Sequence, residues 1–238
     1  MRIIFLNSWL GKIGKPYIDF IEAQKNSTDA FCLIEVDGKL FEELKNILPN
    51  FKGVQSIKYI GENERYEIAV FVKKKYEIVG FRKNIIKDLS RGDCLVTEIT
   101  FNKSKVVLCA VHGVAQPGDK LDSKERITQS LEILNSVKDY AVPKIIGGDF
   151  NLFPDTKSIK MFEECGYVDL ISKFEISTTR NKLALEQAKK QVKEGIPFFG
   201  EQYFADYCFT SPEVKVKSFE VPNIDVSDHL PLILDFEL

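Results

Sequence analysis

The sequence contains only two histidines, and each stands where an apolar segment meets a polar one. His112 ends the run VVLCAV, and His229 follows Asp228 directly and precedes LPLIL. A histidine beside carboxylates changes its charge near neutral pH, so it can move a proton or stabilise an anion during a reaction. Four more polar side chains occupy the same kind of position: Asn7, Glu35, Asp149 and Asp206. Any one of these alone is a common loop residue, but together they indicate one shared site.

Apolar runs rich in β-branched and aromatic residues predict the strands that must position these groups. We expect strands at residues 3–6, 30–34, 67–72, 94–101, 105–111, 144–146, 207–210, 214–221 and 230–236. Four of these strands end at a candidate side chain and two begin just after one. If all the candidates share one edge, the last two strands must run opposite to the first four.

Apolar residues three and four positions apart predict amphipathic helices between the strands. They lie after Pro16, over residues 40–48 and over residues 127–137. Asp122 followed by Glu125 resembles a capping box at the start of the third helix. Residues 183–194 hold strong helix formers but few large apolar residues, which indicates a solvated helix or an ordered insertion. The mixture predicts an α+β protein with many antiparallel strand pairs, packed in layers.

The composition is that of an ordinary soluble globular protein. The chain has 238 residues, with 33 basic and 35 acidic ones and a pI of about 5.9, which argues against non-specific wrapping of nucleic acid by overall charge. No apolar stretch suits a signal peptide or a membrane span, and no linker or repeat divides the chain. We therefore expect a single domain over residues 1–238, a cytoplasmic location and a monomer. Five cysteines without metal-binding spacing are interpreted as reduced core residues: Cys32, Cys94, Cys109, Cys165 and Cys208.

Several motifs resemble, in order along the chain, those of the endonuclease/exonuclease/phosphatase superfamily. They are the Asn and Glu that end the first two strands, GGDFN at 147–151, STTR at 177–180, ADY at 205–207 and SDHLP at 227–231. The resemblance implies a four-layer αββα sandwich, in which two mixed, largely antiparallel sheets pack together and helices flank them. It also implies hydrolysis of phosphate esters with a divalent metal, Mg²⁺ or alternatively Mn²⁺.

The resemblance implies a metal site at the first two strand ends. Glu35 matches the principal metal ligand, and its hard carboxylate oxygen suits Mg²⁺. Asn7 would lie beside it, either directing a metal-bound water through its carbonyl or holding a phosphate oxygen through its NH₂. Asp228 is a third candidate ligand. The family often has Gln before this Glu, whereas Ile34 stands there in this chain.

The catalytic roles follow from the same resemblance. Asp149 matches the residue that orients or deprotonates the attacking water, and Asn151 would bind the phosphoryl group. His229 matches the histidine that contacts the scissile phosphate, and Asp206 would hold its imidazole. The glycines 147 and 148 before Asp149 are expected to let the backbone approach a ligand.

Two further residues are candidates for substrate binding. His112 stands where phosphodiesterase branches of the superfamily carry a histidine, and the following residues lack the tyrosine of the abasic-site branch, so we expect it to bind phosphate during catalysis. Arg180 can direct a fork of donors at a phosphate, although a surface position is an equal alternative.

The sequence thus predicts a metal-dependent phosphoesterase that attacks a phosphodiester, nucleic acid among the candidate substrates, with an activated water. Two alternatives stay open: a phosphoesterase acting on small molecules or phospholipid head groups, and a non-catalytic binding module on the same scaffold.

Overall fold

Two six-stranded sheets form the centre of the computed structural model of this chain, which describes residues 1–60, 64–83, 92–101, 104–193, 195, 197, 199–200 and 202–238. The strands are β1 (Arg2–Asn7), β2 (Ala30–Ile34), β3 (Phe51–Ile60), β4 (Glu64–Lys73), β5 (Glu77–Arg82), β6 (Asp93–Phe101), β7 (Ser104–His112), β8 (Lys144–Asp149), β9 (Val168–Asp169), β10 (Asp206–Thr210), β11 (Lys215–Glu220) and β12 (Leu232–Glu237). The helices are α1 (Lys15–Gln24), α2 (Gly38–Ile47), α3 (Lys124–Val137), α4 (Lys157–Glu164), α5 (Leu170–Lys173) and α6 (Lys182–Lys193).

The first sheet has the strand order β11-β12-β1-β2-β4-β3, and the second has the order β5-β6-β7-β8-β10-β9. Within them β1 is parallel to β2 and β7 is parallel to β8, whereas β12 and β10 run antiparallel to β1 and β8. The carboxyl ends of β1, β2, β7 and β8 therefore lie at the edges where β10 and β12 begin. This confirms the strand directions that the polar side chains predicted.

The four layers follow from the unbroken apolar runs. In β1, Ile3 and Phe5 pack into the core between the sheets, while Ile4 and Leu6 pack on the other face together with residues of α1 and α2. Residues of α3 and α4 cover the outer face of the second sheet, with Ile133 among them. A strand with both faces buried needs apolar residues at successive positions, which explains the absence of alternation in these runs. The predicted αββα sandwich is confirmed.

All nine predicted strands and the four predicted helical segments are present. Strands β3, β5 and β9 and the helices α4 and α5 were not predicted; β5 lies at a sheet edge with mostly exposed side chains, and β9 has only two residues. The prediction for 183–194 is confirmed as far as Lys193, and residue 194 lies outside the described residues.

The predicted capping box was wrong, because Asp122 serves another helix. Ser123 caps α3 by accepting the backbone N–H of Arg126, at 3.1 Å. The Asp122 carboxylate instead accepts the backbone N–H groups of Lys157 and Ser158 at the start of α4, at 2.7 and 2.9 Å. The sequence pattern is local, whereas the partner of Asp122 is brought to it by the tertiary structure.

The expectation that all five cysteines lie in the core is wrong for one of them. Four are buried, but Cys165 is exposed at the end of α4.

The expectation for the two glycines before Asp149 is also corrected. Gly147 and Gly148 lie inside β8, where the lack of a side chain allows close packing. A Cβ on Gly147 would lie 3.0 Å from the Phe5 ring, and one on Gly148, whose φ is +129°, would lie 2.4 Å from the Val111 carbonyl oxygen. Their neighbours are core groups, so these glycines allow close packing of strands.

Within the described ranges, no helix has the length and apolar character needed to cross a membrane. The single-domain organisation of residues 1–238 stays a prediction.

Candidate active site

The polar strand ends meet at one cavity of about 650 Å³. Its lining includes seven of the nine predicted site residues: Glu35, His112, Asp149, Asn151, Arg180, Asp228 and His229. The other two, Asn7 and Asp206, are buried and hydrogen-bonded to residues of that lining. The fold therefore brings all nine predicted residues into one cluster, from segments up to 222 positions apart in the sequence.

Asn7 joins the two sheets at the site. Its Nδ2 donates to Asp149 Oδ2 at 3.0 Å and to Glu35 Oε1 at 3.2 Å, and its Oδ1 accepts the backbone N–H of Trp9 at 2.9 Å. The residue thus offers N–H groups, and not its oxygen, to the two carboxylates. In this orientation Asn7 is a donor to both carboxylates, and its role as a metal ligand stays a prediction.

Asp149 is held on both carboxylate oxygens. Besides the bond from Asn7, its Oδ1 accepts the backbone N–H of Asn151 at 2.9 Å. Burial alone would raise the pKa of Asp149, but the neighbouring His229, His112 and Lys120, together with Arg180, hold it below its ordinary value. Asp149 is therefore an oriented, ionised carboxylate at neutral pH.

Two of the site residues have a left-handed backbone conformation. Glu35 has φ of 55° and Asn151 has φ of 54°. Neither is a glycine, and for glutamate this conformation is uncommon. It is maintained by hydrogen bonds from the Glu35 N–H to the Glu67 carbonyl, at 2.8 Å, and from the Asn151 N–H to the Ala205 carbonyl, at 3.1 Å. Backbone strain of this kind clusters at functional sites, where it directs a side chain inward.

His229 forms a buried pair with Asp206. Its Nδ1 lies 2.8 Å from Asp206 Oδ2, and its Nε2 lies 3.6 Å from Asp149 Oδ2. Burial and Arg180 lower the pKa of His229, but Asp206, Asp228 and Asp149 together raise it above its ordinary value. Burial also raises the pKa of Asp206, which His229 opposes. The geometry predicted for this pair is present.

Arg180 contacts site residues through both ends of its guanidinium. Its Nη1 lies 2.8 Å from His229 Nε2, and its Nη2 donates to Asp228 Oδ2 at 2.8 Å. Because a guanidinium only donates, His229 Nε2 accepts in this arrangement and its Nδ1 carries the proton towards Asp206. Arg180 is therefore a cavity residue and not a surface one, and its Nε has no partner among the described residues.

His112, at the end of β7, lies beside Glu35 and Tyr66. Its Nε2 is 3.9 Å from Glu35 Oε1, and its ring contacts Tyr66 edge-on, with 4.7 Å between the ring centroids. Its Nδ1 has no hydrogen-bond partner among the described residues. A buried polar atom of this kind is available to a ligand or water.

Sequence reasoning missed two residues of the site. Lys120 is 4% exposed and lines the cavity, and Thr179 is fully buried. Thr179 Oγ1 accepts the backbone N–H groups of Ala205 and Asp206, at 3.0 and 3.1 Å, so it aligns the start of β10. Lys120 follows a polar loop without periodicity, so nothing local marks it as buried; Thr179 stands inside the STTR motif, which was the available signal.

The donor set fits a divalent cation. Four carboxylates lie in the cluster, those of Glu35, Asp149, Asp206 and Asp228. Lys120 and Arg180 are the cations beside them, and Lys12 and Lys182 also line the cavity. Asp206 and Asp228 are engaged by His229 and Arg180, whereas no Lys or Arg in the described part of the chain forms an ion pair with Glu35. Asp149, Asp206 and His229 also offer ligand atoms within 4.8 Å of one another, but the pairing of the last two occupies them. The hard oxygens of Glu35 are thus the best-placed ligand atoms for Mg²⁺ or a similar ion.

Solved structures share this fold over the whole chain. An endonuclease/exonuclease/phosphatase from Bacteroides vulgatus has a TM-score of 0.78 at 17% identity, covering 100% of this chain and 98% of that one. A mannosyl-6-phosphatase from Bacteroides thetaiotaomicron has a TM-score of 0.77 at 16% identity, with 100% of both chains covered. TDP2 from D. rerio, solved with a single-strand DNA product, has a TM-score of 0.75 at 16% identity, covering 100% and 99%.

Comparison of the sequence with curated proteins finds no significant match. The family model described as Endonuclease/Exonuclease/phosphatase family matches residues 7–229, from the asparagine that ends β1 to the histidine that precedes β12. With that match over nearly the whole chain, and with the sandwich and its cluster of polar strand ends in place, this chain belongs to the endonuclease/exonuclease/phosphatase family and has its phosphoesterase fold.

Proposed function

We propose that this protein is a divalent-metal-dependent hydrolase that cleaves a phosphodiester with an activated water. The observation that supports this most directly is the position of Asp149. It is an ionised carboxylate, held by Asn7 and the Asn151 backbone, with Glu35 on one side and His229 on the other. A hydrolase of an anionic ester needs a base for the water and positive groups around the phosphoryl oxygens, and this cluster contains both.

Asp149 is the general base of the proposed reaction. Its low pKa keeps it unprotonated at neutral pH, and the bonds from Asn7 and the Asn151 N–H fix the direction of its remaining lone pairs. It accepts a proton from the water as the water attacks phosphorus. The Asn151 side chain, whose Nδ2 donates to the Gly113 carbonyl at 3.3 Å, is near enough to turn towards a phosphoryl oxygen.

His229 and Arg180 provide positive charge to the phosphoryl group. Asp206 orients the imidazole through Nδ1, so Nε2 points into the cavity. In the structure, Arg180 donates to that Nε2. A phosphoryl oxygen placed between the two groups accepts from Arg180 and from a protonated Nε2, and the three carboxylates around His229 favour that protonation. His112, whose Nε2 lies 3.9 Å from Glu35, is assigned a further contact with the same phosphoryl group.

Glu35 is the proposed ligand of the metal, Mg²⁺ or alternatively Mn²⁺. When bound there, the ion supplies positive charge against the phosphoryl oxygens. Asp228 is a weaker candidate because Arg180 already pairs with it at 2.8 Å.

A small organic phosphate is the second candidate substrate, and the apolar part of the cavity lining favours it. That part contains Trp9, Leu185 of α6, Phe199 and Tyr203, and the Lys12 Nζ lies 4.9 Å from the centroid of the Trp9 ring. Apolar side chains of this kind suit a compact leaving group. Among the structural neighbours, one is a mannosyl-6-phosphatase and another was solved with a single-strand DNA product, so both substrate classes occur on this fold. The monomeric state and the cytoplasmic location stay predictions.

Hydrolysis of bis-p-nitrophenyl phosphate and p-nitrophenyl phosphate tests the proposal. We expect turnover of the diester that needs added Mg²⁺ or Mn²⁺, and a loss of about 10³-fold or more in kcat for Asp149→Ala and for His229→Ala. Asp155→Ala is the matched control, because its carboxylate is fully exposed outside the cavity. Equal background rates for all four proteins, across metals and substrates, would contradict the proposed function, and preferential hydrolysis of the monoester would favour the second candidate.

A further inference from the structure

A buried ammonium lies in the cavity without a carboxylate partner. Lys120 is 4% exposed, and no Asp or Glu within the described ranges forms an ion pair with it. Its Nζ donates to the Phe204 carbonyl oxygen at 3.0 Å. An ammonium has three N–H donors, and a buried charge is costly unless its donors and its charge are both compensated. One carbonyl does not compensate the charge.

The loop that carries Lys120 is built to hold it there. Lys120 has φ of 56°, and its carbonyl oxygen accepts the Phe153 N–H at 2.9 Å. On the other side, the fully buried Arg126 of α3 donates to Asp119 Oδ1 at 2.7 Å and to the Leu121 carbonyl at 2.6 Å. Both neighbours of Lys120 in the sequence are thus tied to one buried guanidinium, which fixes the direction of the lysine.

The electrostatic surroundings of Lys120 are those of the site itself. Burial and Arg180 lower its pKa to about 7, against the raising effect of Asp149, Asp206 and Asp228. All four charged neighbours belong to the cluster described above. An anion bound at the Lys120 ammonium would give it the direct charged partner that no carboxylate among the described residues provides, and would favour the charged lysine.

We infer that Lys120 is a substrate-binding residue, whose ammonium donates to a phosphoryl oxygen of the bound ester beside Arg180 and His229. This inference rests on the proposed function, since it assigns a further contact to the same phosphoryl group. The competing explanation is structural: the ammonium merely ties residue 120 to the Phe204 carbonyl. A neutral donor of similar length would do that equally well. The structural explanation therefore expects glutamine to replace Lys120 without loss of phosphate binding, whereas the substrate-binding role expects a loss.

Titration calorimetry with inorganic phosphate, at constant Mg²⁺, separates them. Lys120→Gln keeps an N–H donor and removes the charge, and Lys45→Gln is the control, since Lys45 is an exposed lysine paired with Glu42 on α2. We expect about 10- to 100-fold weaker phosphate binding for Lys120→Gln, the size of one charge-assisted contact, and wild-type binding for the control. A parallel rise in KM for bis-p-nitrophenyl phosphate, larger than the fall in kcat, is expected.

Wild-type phosphate affinity and KM in Lys120→Gln would overturn the inference, as would wild-type protein that does not bind phosphate. Lys120→Met, which removes a buried charge altogether, repeats the titration if the glutamine variant does not fold. The two proposals fail separately. Metal-dependent turnover that Asp149→Ala abolishes, with Lys120→Gln unaffected, rejects only the role of Lys120. Phosphate binding that needs Lys120, without any ester hydrolysis, supports that role and rejects the proposed function.

Discussion

Two buried cations, six residues apart, show how differently this fold treats its polar groups. Arg126 is fully buried, and all three of its side-chain nitrogens donate to the loop before α3: Nε to Val114, Nη1 to Asp119 and Leu121, and Nη2 to the Pro117 carbonyl. Lys120, in that same loop, makes one hydrogen bond to a carbonyl. The first cation is compensated within the protein, and the second is not.

The difference separates a structural region from a functional one. Arg126, which holds the loop, has its partners in the free protein, because an uncompensated buried charge lowers stability. At the cavity, Arg180 Nε and His112 Nδ1 have no partner among the described residues, and Glu35 has no Lys or Arg partner there. Because these groups meet in one cavity, they are available to a ligand.

Removing the compensated cation has the largest expected effect. Arg126→Met leaves Asp119 and three carbonyl groups without their donor, so we expect the free energy of unfolding to fall by about 3–5 kcal/mol. Urea denaturation followed by circular dichroism measures it. Lys160→Met is the control, because its half-exposed ammonium lies 3.9 Å from Asp155, and a change within about 0.5 kcal/mol is expected. Equal free energies of unfolding for the two variants would contradict the structural role of Arg126.

Replacing Lys120, the uncompensated cation, is expected to raise the free energy of unfolding instead of lowering it. In the unfolded chain Lys120 has a pKa of 10.5, and in the folded protein it is about 7. The charged lysine therefore destabilises the fold fully below pH 7, and this penalty disappears as the pH rises towards 10.5. We expect Lys120→Met to raise the free energy of unfolding by about 2–4 kcal/mol at pH 6 and by much less at pH 10.

Urea denaturation over that pH range, without phosphate or metal, measures the effect on Lys120→Met. A gain that does not change with pH would mean that the lysine is not held uncompensated in the folded protein. A loss of stability at pH 6 would show that its contact with Phe204 outweighs the cost of burial, and the contrast with Arg126 would break down.

A smaller effect tests a compensated group inside the functional region. Thr179→Val keeps the shape of the side chain but removes the acceptor of the Ala205 and Asp206 N–H groups, so we expect a loss of about 1–3 kcal/mol. Because Asp206 orients His229, kcat for the diester should also fall. Thr128→Val is the control, since this partly exposed threonine of α3 donates only to the Lys124 carbonyl. Unchanged unfolding in both variants would argue against alignment of β10 by Thr179.

The positions of the predicted site residues were accessible from the sequence because strand ends are marked locally. An apolar run that stops at Asn7, Glu35, His112 or Asp149 predicts both a buried strand and the position where that strand ends. The direction of the strands then follows from the side on which each polar residue stands. The roles assigned to these residues depended on the family motifs, since many loops have such residues at strand ends.

Other features could not be predicted because they depend on contacts between distant segments. Asp122 stands three residues before Glu125, as in a capping box, yet it caps a helix that begins at Lys157. Gly147 and Gly148 resemble a ligand-binding turn, yet Phe5 and Val111 determine the need for glycine there. The orientation of the Asn7 amide depends likewise on Glu35 and Asp149.

Nine of the strands, the relative directions of the six that meet at the site, and the edge at which the polar side chains lie were predictable from the sequence alone. The reason is that burial on both faces requires continuous apolar runs, which end at polar groups. Which of those groups are compensated depends on tertiary contacts. Whether Lys120 is solvated or buried depends on the path of the loop that Arg126 holds. Whether Arg180 faces water or His229 depends on hydrogen bonds between segments distant in the chain, such as the bond between Thr179 and Ala205.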